Sequence, residues 1–267
     1  MLTRLKRKLT RLKLKYRNWM ASDNKLRKLR VSLHYHLVRH KRWKELASLD
    51  AKGKFTAIYR DNLWNNEESY SGGGSTLKRT SPVRSQLPTL LKARRIRSIC
   101  DAGCGDFNWM KHVDLAQTMY IGVDLVRDMI EANKALYGNE RRSFIELDIV
   151  SEVVPKVDLI FCRQCLYHLC LSDIHAALIN FKSSMSRYLL VTHNPGVSIN
   201  IDTSTGGFRR LNWTLPPFNF ADPILRLSEV QSDQCLALWR LEDIKSELFG
   251  PMDSGHTHPG DRVLLRP

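Results

Sequence analysis

Residues 98–110 read SICDAGCGDFNWM: an apolar run, an acid, two glycines one residue apart, and then an apparent helix. That order predicts a strand turning sharply so that backbone can approach a nucleotide closely. Two ligands suit such a turn, a dinucleotide and S-adenosylmethionine, and they imply different chemistry.

Outward from this turn the pattern is regular. Apolar runs at 97–100, 119–123, 143–147, 157–162 and 187–192 read as strands, with helical stretches at 126–137 and 172–185. Alternating strands and helices predict a parallel sheet with crossover helices. Beyond residue 195 comes a long loop, NPGVSINIDTSTGGFRRLNWTLPPFNF. It is followed by strand-like ILRLSE and CLALWRL, which predict a closing antiparallel hairpin.

The acids decide between the ligands. A dinucleotide fingerprint needs Gly-x-Gly-x-x-Gly, and after Gly103 and Gly105 the third position is Asn108. Asp101, two residues before Gly103, suits the other ligand. Asp124 follows the second strand, 19 residues after Gly105, where a carboxylate can accept both ribose hydroxyls, with Leu125 beside it. Asp148 follows the third strand, placed to accept from an adenine amine while Ile149 packs on the ring. Each aspartate alone is equally a helix cap. Three at successive strand ends favour S-adenosylmethionine.

On DAGCGD, YIGVDLV and LDI the chain resembles the class I S-adenosylmethionine-dependent methyltransferases over about residues 84–243. The resemblance implies an α/β fold with a Rossmann-like seven-stranded sheet. That sheet is mostly parallel with an antiparallel last strand and has helices on both faces. Phe107 departs from it, since many members carry a third glycine there. The wording of SGGGSTLKRTSPVRSQLP, CGDFNWM and CRQCLYHL is similar to bacterial enzymes of polysaccharide and nodulation-factor synthesis, including fucose O-methyltransferases. An acid commonly follows the arginine of CR in that group, where this chain has Gln164. The resemblance implies a glycan or glycolipid acceptor, with the 2-hydroxyl of fucose as the first expectation.

The loop after the fourth strand, RQCLYHL, lacks the Asn/Asp-Pro-Pro-aromatic motif of nucleic-acid amine methylation and the paired glutamates of protein-arginine methylation. A sugar hydroxyl needs help losing its proton, and His168 is the best-placed imidazole, with His193 second. Arg163 is assigned to the cofactor or acceptor. Arg209, Arg210, Asn212 and Trp213 are expected to line an acceptor wall. His256 and His258 in GHTHPGD have ligand spacing, but a mobile tail is the preferred reading and no metal is assigned.

The 267 residues carry a net charge of +15, and its location matters more than its size. Residues 1–45 hold 16 Lys and Arg against Asp23 and Glu45, so of the 42 basic and 27 acidic side chains the rest has a balanced 26 and 25. Leu2, Leu5, Leu9 and Leu12 share a helical face within this arm. A solvated helix packed on the body, a peripheral helix on an anionic membrane, and a grip on nucleic-acid phosphates are the three readings. The membrane surface is the preferred functional one. An RNA or protein methyltransferase using the arm for an anionic partner is the alternative activity.

No run of 18 apolar residues occurs, and charges interrupt every apolar stretch of the first 20 residues. Six cysteines without paired zinc spacing read as reduced thiols, hence a cytoplasmic location, peripheral on the inner leaflet. The expected organisation is a basic helical arm at 1–60, a Gly/Ser-containing lid or linker at 61–83, the catalytic domain at 84–250 and a tail at 251–267. Gly72-Gly73-Gly74 in the second segment lacks the Gly-Lys-Ser/Thr ending of a phosphate loop.

Overall fold

The computed structural model describes residues 45–231 and 233–245. The expectations for the basic arm up to residue 44 and for the tail with His256 and His258 fall outside them. The described residues before Ala51 belong to a separate unit, and the architecture below is that of the unit beginning at Ala51.

Seven strands form one sheet: β1 Ser98–Ala102, β2 Met119–Asp124, β3 Arg142–Glu146, β4 Leu159–Cys162, β5 Tyr188–His193, β6 Leu225–Ser228 and β7 Cys235–Arg240. Their order is β3-β2-β1-β4-β5-β7-β6. β1 to β5 pair in parallel, and β7 runs antiparallel between β5 and β6. The order reverses between β1 and β4, which places the carboxyl ends of those strands around one crevice.

Strand parity builds a core on each face. Ile99, Leu159, Phe161, Leu190 and Leu236 point to one side. They meet Val83, Leu87, Leu90 and Leu91 of the helix α2 (Leu77–Ala93) and Ile130 of α3 (Arg127–Tyr137). Cys100, Ile160, Cys162, Leu189 and Val191 point to the other and meet Ile174, Ala177, Leu178 and Phe181 of α4 (Leu171–Ser183). Because both faces are covered, the central strands read as continuous apolar runs. A further helix, α1 (Ala51–Arg60), is tied to the β2–β3 side by Lys52–Glu146 at 2.5 Å and Arg60–Asp128 at 2.8 Å.

Two local expectations change. The helix expected after Gly105 does not form; residues 106–113 make turns and a short 3-10 segment, Met110–His112. Phe107 has φ 56°, which no helix accommodates, and its ring is buried against Tyr120, Tyr137 and Phe144. The aromatic anchor thus occupies the left-handed position where a glycine would sit without strain.

The polar 61–83 segment ends earlier than expected, since α2 starts at Leu77, inside it. Thr76 caps that helix by accepting from the Arg79 amide, and Glu68 Oε1 accepts from the Leu77 amide at 2.6 Å. Between β5 and β6 the long loop expected from the sequence stands in place of a crossover helix. Its Trp213, Phe218 and Phe220 rings close the core against Trp239.

All six cysteines are free. No helix among the described residues is long and apolar enough to cross a membrane.

Candidate functional site

A cavity of about 300 Å³ opens over the carboxyl ends of β1 to β4. Its floor is the turn after β1. Gly103 has φ 82° and a Cβ there would come within 2.7 Å of Cys165 Sγ. Gly105 has φ 59°, and a Cβ there would meet Ser71 Oγ at 2.2 Å. Both positions demand glycine for conformation and for space, which leaves bare backbone facing the cavity.

Asp124 ends β2 and lines the cavity. Its two oxygens accept from the amides of Gly105 and Val126, each at 3.1 Å, so the carboxylate also holds the glycine turn in place. Burial raises its pKa, and the amide hydrogen bonds oppose that shift. Asp148, after β3, also lines the cavity. Its carboxylate accepts from the Val150 amide at 2.9 Å and from Ser151 Oγ at 3.0 Å, so it shapes its own turn as well as facing inward. Leu125, Leu147, Ile149, Val150 and Met129 supply apolar wall between the two acids. Asn180 secures the Ile149 and Val150 carbonyls at 3.0 and 2.9 Å. Glycine backbone, two spaced carboxylates and an apolar slot fit a nucleoside with a zwitterionic extension.

Asp101 is placed differently from expectation. It is 3% exposed, does not line the cavity, and accepts from Tyr120 Oη at 2.6 Å behind the glycine turn. Its parity in β1 is that of Ile99, which sends the carboxyl into the α2-side core. Burial lifts its pKa to about 7, against the Tyr120 hydrogen bond that lowers it. Its carboxyl holds Tyr120 through this buried hydrogen bond.

The two histidines separate cleanly. His168 closes a 3-10 turn, Leu166–His168, after β4 and lines the cavity. Its Nδ1 lies 2.7 Å from the Gly207 carbonyl, an oxygen that can only accept. Nδ1 therefore carries the proton and Nε2 keeps its lone pair. Burial lowers the imidazole pKa from 6.5, which favours this neutral form. Trp64 and Phe208 flank the ring at 5.4 and 5.8 Å between centroids.

His193 fails as the second base. It is 1% exposed at the end of β5, outside the cavity, packed edge-on to Trp239, with Nδ1 accepting from the Trp213 amide at 3.4 Å. Burial pushes its pKa down to about 4. The imidazole is a neutral core group.

Arg163 lines the cavity but spends its guanidinium within the protein. Nε and Nη2 bond both oxygens of Glu229 at 2.7 and 2.9 Å, and Nη1 donates to the Gly74 carbonyl at 3.0 Å. Both partners of this ion pair are 3% exposed, so either one alone would be a stranded buried charge. Arg163 ties β4 to the Gly loop and to the segment after β6.

The expected acceptor wall dissolves for the same kind of reason. Arg209 is buried and donates to the carbonyls of Ile201 and Leu166. Asn212 pins its own loop through the Pro195 and Val197 carbonyls. Trp213 is core, its Nε1 donating to the Thr192 carbonyl at 2.7 Å. Only Arg210 stays exposed, ion-paired with Asp233. What the loop does contribute is support for His168. Beyond Gly207, the Gly206 amide donates to the His168 carbonyl at 2.8 Å, and the Arg209 amide to that of Tyr167 at 3.2 Å.

Of the near wall of the cavity, only the lid or linker reading of residues 61–83 was available from the sequence. Phe55 and Tyr59 of α1, Trp64, and the Tyr70–Ser75 loop all face it, as do Gln164 and Tyr167. The Gly loop is bound to the glycine turn through Asp106, which accepts from Ser69 Oγ, the Tyr70 amide at 2.7 Å and Ser71 Oγ. The one available signal was the run of three glycines, which here permits contact: a Cβ on Gly74 would sit 1.7 Å from Gln164 Oε1.

No family model and no curated protein matches the chain. Among solved structures it is similar to human N-acetylserotonin methyltransferase, crystallised in complex with SAM. The TM-score is 0.53 at 16% identity, over 72% of this chain and 60% of that one. It is also similar to magnesium protoporphyrin IX methyltransferase from Synechocystis PCC 6803 with bound SAM. There the TM-score is 0.49 at 15% identity, over 73% and 98% of the two chains. The chain thus spans 60% of the human enzyme's length. At these identities the likeness is one of architecture, and the chain has the Rossmann-like fold of the human methyltransferase.

Proposed function

We propose that the chain is an S-adenosylmethionine-dependent O-methyltransferase whose acceptor is a hydroxyl of a glycan or glycolipid. The observation that carries this reading is one cavity uniting four features. These are the bare glycine turn, Asp124, Asp148, and an imidazole whose free Nε2 is fixed by the Gly207 carbonyl. The cofactor supplies a methyl group activated by its sulfonium.

Asp124 is the ribose acceptor, and Asp148 with Ile149 holds the adenine. The aromatic ring of Trp64 beside His168 suits the apolar face of a sugar. His168 Nε2 takes the hydroxyl proton as the new oxygen–carbon bond forms and the sulfur–carbon bond breaks, leaving S-adenosylhomocysteine. The remaining rate enhancement is positioning.

The glycan assignment, with the 2-hydroxyl of fucose as its first candidate, is supported by the sequence resemblance and by the free imidazole. A peripheral membrane contact of residues 1–45 is part of the same reading, supported by their charge and leucine spacing. Radiolabelled S-adenosylmethionine incubated with the protein and fractionated bacterial extract tests it. Label in lipid-extractable glycan is the expected result. Label in RNA or protein overturns the acceptor, and no label in any fraction overturns the activity.

A further inference from the structure

Beside the first cavity lies a second, of about 270 Å³. The two share Gly73, Gly74, Arg163, Gln164 and Tyr167 as a common wall. Gln164, in that wall, stands at φ 53°, a strained backbone for a residue with a side chain.

The second cavity differs from the first in character. Where the first is lined by acids and apolar groups, this one adds Gln231, Gln234, Arg79 and Arg210. The charges of Arg163 and Glu229 cancel within it. Arg210 is neutralised at its rim by Asp233. Arg79 is exposed and, among the described residues, makes no ion pair. It lies in the first turn of α2 next to Lys78, a turn with no acidic residue. Cations at this end oppose the helix dipole, a local cost that a bound anion would offset.

A separate observation points the same way. Tyr167 is 7% exposed and lines both cavities, and among the described residues its hydroxyl has no hydrogen-bond partner. The ring is buried but the hydroxyl is not sealed off, so it is open to a ligand atom in these cavities.

We propose that the second cavity holds the part of the acceptor remote from the reacting hydroxyl, and that this part is a sugar carrying a phosphate or carboxylate engaged by Arg79. The Gln231 and Gln234 amides and the Tyr167 hydroxyl meet its hydroxyl groups. Arg210 stands beside the anion. The site rests on the methyl-transfer reading only for naming its occupant as the acceptor.

The test uses the full chain, with and without S-adenosylhomocysteine. Binding of glucose 6-phosphate, methyl glucuronide and neutral methyl glucoside is followed by saturation-transfer NMR. At least one anionic sugar is expected to bind about tenfold or more tightly than the neutral one. Arg79→Gln should abolish that preference and Arg79→Lys should keep most of it, both with S-adenosylhomocysteine binding unchanged. Preference for glucose 6-phosphate assigns a phosphate, and preference for the glucuronide a carboxylate. Equal binding of all three sugars, binding of none, or a preference that survives Arg79→Gln overturns the proposal. Failure to bind S-adenosylhomocysteine while the Arg79-dependent preference persists overturns methyl transfer and leaves the anionic sugar site standing.

Discussion

The Nδ1 atom of His168 lies 2.7 Å from the carbonyl oxygen of Gly207, 39 residues further along the chain. That single contact fixes the tautomer and leaves Nε2 as the acceptor of a ring that lines the cavity. Replacing His168 by Gln should lower turnover by about 10²- to 10⁴-fold while leaving S-adenosylmethionine affinity unchanged in calorimetry. Because burial lowers the imidazole pKa below 6.5, the neutral base persists into mildly acidic solution. Turnover should fall away only below pH 6.5, as the ring protonates. A profile whose acid limb lies above 6.5, or near-normal turnover of the variant, would exclude His168 as the base.

Asp124 has two duties, and substitutions should separate them. Asp124→Ala removes the acceptor for the Gly105 and Val126 amides as well as the ribose contact. It should cost about 1–3 kcal/mol of stability in addition to most of the cofactor affinity. Asp124→Asn keeps one carbonyl acceptor and should lose less stability. Denaturant titration and calorimetry on the two variants check this; full cofactor affinity in either would remove Asp124 from the site.

Gly74 and Gln164 should behave as a coupled pair. A methyl group on Gly74 would overlap the Gln164 amide, so Gly74→Ala must displace that side chain from between the cavities. Turnover should drop with little change in melting temperature. The double variant Gly74→Ala/Gln164→Ala should show a coupling of at least about 0.5 kcal/mol in a double-mutant cycle. Strictly additive effects would mean that the amide has another place to go at no expense.

Asp101 predicts an unusual pH dependence of stability. Its folded pKa is near 7 against 3.8 for the ordinary carboxyl, so its contribution is fully present below about pH 3.8 and is lost as pH rises through 7. Asp101→Asn keeps an acceptor for the Tyr120 hydroxyl without the charge. Measured without ligand, the variant should gain stability over the native chain between pH 4 and pH 8, by up to about 4 kcal/mol. A stability difference that does not change over that range would show that Asp101 ionises normally inside the fold.

The sheet was legible because apolar runs and turn residues report strand position directly, and the acids at the ends of β2 and β3 follow from strand ends alone. Asp101 shows where this stops. A strand covered on both faces has no polar side to mark which way its acid points. His168 and His193 look alike in sequence, each beyond or at a strand end. They part because β5 runs between β4 and β7 inside the core, whereas the turn after β4 opens to the crevice. Arg209, Asn212 and Trp213 misled for a related reason. A loop that replaces a helix must satisfy its own carbonyls and bury its own rings, and those residue types serve that need before any ligand. Residues 61–76 carry no periodicity, so beyond the run of three glycines nothing in them announced a cavity wall.

The attachment of the Ser69–Ser75 loop to Asp106 bears on how the protein can be dissected. The sequence resemblance begins near residue 84 and the strands at Ser98, but ten of the 26 residues lining the crevice come from α1, Trp64 and this loop. A shortened version starting at residue 84 would keep the recognisable motif and lose the enclosure around it. The smallest portable unit therefore begins at Ala51, and a graft of the motif alone would carry the address without the room.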